Sequence, residues 1–149
     1  MQTAQAIAAN IHLEPIPYNG LKEKDFGILE GRPYEEAINL MTFPLAKFII
    51  RCYRDFIRSI SGESNLHFNT RVMAAWQQIL NENNNEISIV VGHAFLFSSI
   101  FVNYFGRDFP KGMRHYPMRP CSISEIEIND AGQARLVRMN DVTHLSEYK

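Results

Sequence analysis

The sequence lacks the features that mark several common classes of protein. It has only two cysteines, Cys52 and Cys121, far apart in the chain, which excludes a disulfide-rich scaffold and favours two reduced thiols in a cytoplasmic protein. No apolar run is long enough to span a membrane, and no basic segment followed by an apolar one marks a signal peptide. The net charge is -1, so no overall field favours nucleic acid or a membrane as a partner.

What is present is the composition of an ordinary globular protein. Hydrophobic residues make up 46% of the 149 residues and charged residues 21%, which fits one domain, residues 1–149, with a sizeable core. The histidines do not recur at ligand spacing on one element, so we expect no metal and no other cofactor.

The strongest local signal is the apolar run Ile87–Val91, which is followed by Gly92, His93 and a second apolar stretch. This pattern predicts a strand buried on both faces that leads into a helix. His93 then lies at the carboxyl end of a strand, where open α/β sheets bind ligands and where helix N–H groups favour an anion. A histidine at this turn fits either a binding site or a structural residue.

Periodicity predicts the other elements. Helices are expected over 2–12, 44–60 and from the turn at 61–64 to about Leu80, and a hairpin is expected from strands 122–128 and 134–139. Two prolines exclude a helix at 13–18 and leave a short edge strand there. One face of the predicted 44–60 helix carries a basic stripe, Lys47, Arg51, Arg54 and Arg58. Such a stripe is more typical of a solvated face than of an anion site.

Four segments, taken in order, resemble the histidine phosphatase superfamily, also called phosphoglycerate mutase-like. They are Gln2-Thr3-Ala4 with its helix, the loop from Leu21 through Glu23 and Phe26-Gly27 to Glu30-Gly31, the strand Val90-Val91-Gly92-His93, and the ending Asn140-Asp141-Val142-Thr143-His144-Leu145. Gly62-Glu63-Ser64 before Arg71-Val72 is a weaker match. The resemblance implies an α/β fold, a three-layer α/β/α sheet that ends in a C-terminal β-hairpin.

The resemblance also implies phosphoryl transfer through a phosphohistidine, with a phosphorylated small molecule as partner. Glu23 matches the family's proton donor to the leaving oxygen, and His93 matches its second, phosphate-binding histidine. The backbone N–H of Ala94 would face the same phosphoryl oxygens, although the family usually has glycine at this position.

One departure from the family is serious, because no Arg-His-Gly motif occurs in the sequence. The family's nucleophilic histidine follows its first strand in that motif, so we expect a domain that is N-terminally truncated, with an apolar strand edge left exposed. The uncapped start of the helix at 2–12 points the same way. Three hypotheses remain open: a phosphatase whose complete form has a further N-terminal segment, a non-catalytic relative that binds a phospholigand or a protein, and a truncated product that is poorly folded or built into a homo-oligomer covering the exposed edge.

Overall fold

A computed structural model describes residues 1–27, 30–31, 33, 62–106, 116 and 118–148. The helix predicted over 44–60, its basic stripe and most of the predicted loop 107–120 lie outside these residues. The chain divides into two compact units: residues 1–23 with 71–149, and residues 24–70. The expectation of a single domain stays a prediction.

The described elements are three helices, two 3-10 turns and one β-hairpin. In chain order they are α1 (Gln2–Asn10), a 3-10 turn (Asn19–Leu21), α2 (Asn65–Glu82), α3 (Ala94–Phe105), β1 (Ile123–Ile128), β2 (Ala134–Asp141) and a 3-10 turn (Thr143–Tyr148). The predictions for α1, α2, α3 and the hairpin are confirmed. The edge strand predicted at 13–18 is wrong, because this proline-bearing segment has no regular structure.

The core of the first unit lies along α2 and α3. The apolar face of α2 is buried, with Val72 at 0%, Ile79 at 6% and Trp76 at 8% exposure. Trp76 also donates its indole N–H to the hydroxyl of Tyr104 on α3 at 3.0 Å, so the two helices share a polar contact beside their apolar one. From α3 the core receives Leu96, Ile100 and Phe101.

Tyr116 completes this core from the loop after α3. Its ring stacks on Phe101 with centroids 5.5 Å apart, and only 1% of the residue is exposed. Its backbone N–H donates to Ser98 Oγ at 2.9 Å, and its hydroxyl donates to the carbonyl of Gly106 at 3.0 Å. Burial raises the pKa of the hydroxyl above its ordinary value, because the charged form is penalised away from water.

The hairpin has the turn chemistry that its sequence predicts. Asn129 accepts side-chain bonds from the N–H groups of Ala131 and Gln133 at 3.1 and 2.9 Å, and Gly132 adopts a φ of 73°, which glycine allows without a Cβ penalty. Opposite charges face each other across the strands, since Glu127 pairs with Arg135 at 2.6 Å. Such surface ion pairs mainly fix register and contribute little stability.

The prediction that Ile87–Val91 is a strand buried on both faces is wrong. The segment has no assigned strand, and Ile87 is 98% and Ile89 62% exposed. The physical reason is that no strand lies beside it among the described residues, so nothing there removes its side chains from water.

In the described part of the second unit, two short segments approach each other closely. The N–H of Glu63 donates to the carbonyl of Asp25 at 2.9 Å, and Gly62, at a φ of +71°, lies so near that an added Cβ would meet the Asp25 carbonyl oxygen at 2.3 Å. Ser64 then caps α2, because its Oγ accepts from the N–H of His67 at 3.1 Å. Glycine is therefore required at position 62 for two reasons, its backbone conformation and its missing side chain.

Gly62→Ala is expected to destabilise the protein more than Gly31→Ala. Both positions have a positive φ, +71° and +72°, but an added Cβ at Gly31 has no atom within 4 Å. The two variants share the cost of the left-handed backbone, and only the first adds the steric overlap, at about 1–3 kcal/mol. Urea unfolding midpoints measure the difference, and equal midpoints would show that the close approach is not present in solution.

Stability at acid pH is expected to depend on Asp141. Its carboxylate accepts from the backbone N–H and the hydroxyl of Thr143 at 2.9 and 2.8 Å, and these bonds hold its pKa below the ordinary value of 3.8. A carboxyl with a lowered folded pKa stabilises the fold above its unfolded pKa and loses that contribution as pH falls through the folded pKa.

Asp141→Asn should therefore lower the melting temperature near pH 6, with the difference from the parent shrinking below about pH 3.8, the ordinary pKa of the group. Thr143→Val is the matched variant: it removes the hydroxyl donor but keeps the backbone N–H, so its effect should be smaller. If the difference in melting temperature between the parent and Asp141→Asn is the same near pH 6 and below about pH 3.8, the Asp141 carboxylate does not stabilise the fold in this way.

Candidate functional site at the start of helix α3

The turn before α3 places His93 at the helix N-cap. Its backbone is extended, with φ −110° and ψ 171°, and its side chain makes no cap hydrogen bond. Position 92 lies close to α3, since an added Cβ would be 3.2 Å from Leu96 Cδ2 and 3.4 Å from Phe97 Cζ. His93 and Ala94 are both exposed, so the imidazole and the first helical residue face solvent together.

Glu23 comes to the same helix start from a distant part of the sequence. Its Oε2 accepts a hydrogen bond from the backbone N–H of Phe95 at 3.2 Å, across 72 positions of sequence. The first N–H groups of a helix have no intrahelical acceptor and form the positive end of its dipole. A carboxylate is therefore a favourable partner there, and the three predicted site residues, Glu23, His93 and Ala94, lie at one helix end.

The backbone beneath Glu23 is held by Arg71 of α2. The guanidinium donates through Nη1 to the carbonyls of Gly20 and Lys22, at 2.9 and 2.8 Å, and through Nη2 to the carbonyl of Glu23, at 3.1 Å. Gly20 lets this segment lie against α2, because an added Cβ would meet Ala75 Cβ at 2.5 Å. The sequence alone gave only a weak motif match at Arg71 and no sign of these contacts.

The arrangement has the groups needed to bind an anion and to exchange a proton with it. Helix N–H groups and an exposed imidazole favour an anion. The carboxyl group of Glu23, which lies at the same helix end, can give a proton to such an anion or take one from it. No group of three or more His, Cys, Asp or Glu side chains among the described residues is placed to hold a metal ion.

Other charged residues have contacts of their own or lie outside the described residues. Arg119 is exposed and donates its backbone N–H to Asn140 Oδ1 at 2.7 Å, so its main-chain contact is to the C-terminal motif. His144 is exposed beside Asp141. Lys111 and Arg114 lie outside the described residues.

A family model for the histidine phosphatase superfamily (branch 1) matches residues 1–142. The chain belongs to the histidine phosphatase superfamily. No curated protein matches the sequence. Membership makes the fold α/β, as predicted, and β1 and β2 form the expected C-terminal hairpin. Within the described residues this hairpin is the whole of the sheet.

None of the helices described for this chain combines the length and apolar character that crossing a bilayer requires.

Removal of the Glu23 carboxylate is expected to destabilise the start of α3. Glu23→Ala should lower the free energy of unfolding by about 0.5–2 kcal/mol, the range for losing a cap acceptor. Glu23→Gln should cost less, because its amide oxygen still accepts from Phe95 while the favourable charge at the helix dipole is lost.

Chemical denaturation measures both changes. Glu127→Ala is the matched control, because Glu127 is 58% exposed and pairs only across the hairpin surface in the contacts described; it should stay within about 0.5 kcal/mol of the parent. If Glu23→Ala behaves like this control, the contact with Phe95 contributes nothing in solution.

Proposed function

We propose that the start of α3 is the phosphoryl-binding part of a histidine phosphatase site. In this proposal the imidazole of His93 and the N–H of Ala94 bind the phosphoryl oxygens, and Glu23 occupies the position of the family's proton donor to the leaving oxygen. The observation that carries the proposal is the hydrogen bond from Phe95 N–H to the Glu23 carboxylate, which brings an acid to the helix end that His93 precedes. The ligand is a phosphorylated small molecule.

In this proposal these 149 residues do not turn over a substrate through the family's phosphohistidine. The usual mechanism needs a histidine nitrogen that attacks phosphorus while the P–O bond to the leaving group breaks. No Arg-His-Gly motif supplies that nitrogen here, and the only Arg-His pair, Arg114-His115, precedes Tyr116. The chain then acts as a pseudoenzyme, and the wide separation of its two cysteines in sequence fits a cytoplasmic location.

A second candidate is phosphomonoester hydrolysis by a protein in which a further segment supplies the nucleophile. The placement of Glu23 favours it, because a carboxylate beside a bound phosphate repels the anion unless the carboxyl group carries a proton. A site selected only for binding gains nothing from that repulsion, whereas proton donation to a leaving alkoxide requires an acid within hydrogen-bond reach.

Titration with inorganic phosphate tests the binding site. Phosphate is expected to raise the melting temperature of the parent chain, because a ligand stabilises the folded state by an amount set by its concentration relative to Kd. His93→Ala should abolish the shift, and His144→Ala, another exposed histidine, should retain it. The site is contradicted if phosphate leaves the melting temperature of the parent unchanged, or if His93→Ala shows the full shift.

Incubation of these 149 residues with p-nitrophenyl phosphate tests the absence of turnover. The pseudoenzyme proposal expects no release of p-nitrophenol and no phosphohistidine. Release that disappears with His93→Ala would instead support catalysis by these residues and overturn the absence of turnover.

A further inference from the structure

The segment that carries Glu23 has little regular structure of its own. The 3-10 turn gives two short-range bonds, from Leu21 N–H to Tyr18 and from Lys22 N–H to Asn19, at 3.0 and 3.3 Å. Beyond that turn the chain is irregular at Glu23. Such a segment samples many backbone conformations unless other groups fix its carbonyls.

Arg71 supplies that fixation from a rigid element. It lies within α2 and is half-buried, next to Val72, which is fully buried. Its two terminal nitrogens reach three carbonyls, those of Gly20, Lys22 and Glu23, within 3.1 Å. A planar guanidinium fixes the direction of each bond, whereas a lysine ammonium would act as a single point charge.

We propose that Arg71 is a positioning residue that holds the Glu23 carboxylate at the start of α3. The connection is short: the guanidinium binds the Glu23 carbonyl, and the side chain of the same residue accepts from Phe95 N–H at 3.2 Å. Arg71 acts on the site through Glu23. The inference rests on the proposed function, in which Glu23 is the acid that faces the bound phosphoryl group.

Hydrogen exchange of the Phe95 amide reports the position of the carboxylate without any ligand. Glu23→Ala removes the acceptor and should speed this exchange by about tenfold, as for a lost helix cap. Arg71→Met should produce a similar increase, and the double variant should show no further increase because both changes release the same contact. Arg71→Lys should fall between the parent and Arg71→Met, and Arg135→Met, which removes a hairpin arginine bound to Glu127, should match the parent.

Phosphate affinity gives a readout that a merely structural role would not change. With Arg71 present, Glu23→Ala should tighten phosphate binding roughly fivefold, as expected when one like charge is removed near a solvated anion. In the Arg71→Met background the same substitution should change affinity by less than about twofold, since the carboxylate is no longer held beside the phosphate.

The outcomes separate this inference from the proposed function. Phe95 exchange that rises with Glu23→Ala but stays unchanged in both Arg71 variants overturns the positioning role, as does a Glu23→Ala variant without any rise. If Phe95 exchange couples Arg71 to Glu23 but no variant binds phosphate, the proposed function fails and the positioning role stands. If Arg71→Met does not fold, Arg71→Lys carries both measurements.

Discussion

The fork of hydrogen bonds from Arg71 is the contact on which the geometry at the start of α3 depends. One side chain of a regular helix binds the carbonyls of three residues in an irregular segment. Glu23 then connects two helices, because its carbonyl accepts from Arg71 of α2 and its carboxylate accepts from Phe95 in the first turn of α3. A charge-assisted donor is suited to this task, because its hydrogen bonds are stronger than neutral ones and the planar group sets their directions.

The start of α3 combines two groups with opposing effects on an anion. The helix N–H groups and the imidazole of His93 attract negative charge, whereas the Glu23 carboxylate repels it. The Glu23 carboxylate satisfies a helix N–H, that of Phe95, so the group that we propose as the acid also stabilises the helix start. Active sites commonly carry groups whose arrangement serves function as well as the fold.

Local elements could be predicted from the sequence, and contacts between distant segments could not. The apolar spacing of Val72, Trp76 and Ile79 was enough for α2, because helical periodicity is a local property. The burial of Ile87–Val91 depends on which strands lie beside it, which no local pattern contains. The proximity of Glu23 to α3 followed only from the order of family motifs, and the contacts of Arg71 follow no sequence spacing at all.

The exposed run Ile87–Val91 has a consequence for how this chain behaves among copies of itself. It is rich in β-branched residues, contains no proline or charge, and has solvent-facing isoleucines. Those are the properties of segments that stack into cross-β assemblies. Glu82 and Glu86, with the asparagines between them, precede the run and act as gatekeepers, because stacked chains would align their like charges. Colloidal stability of the chain therefore depends on the short polar stretch that comes just before this exposed run.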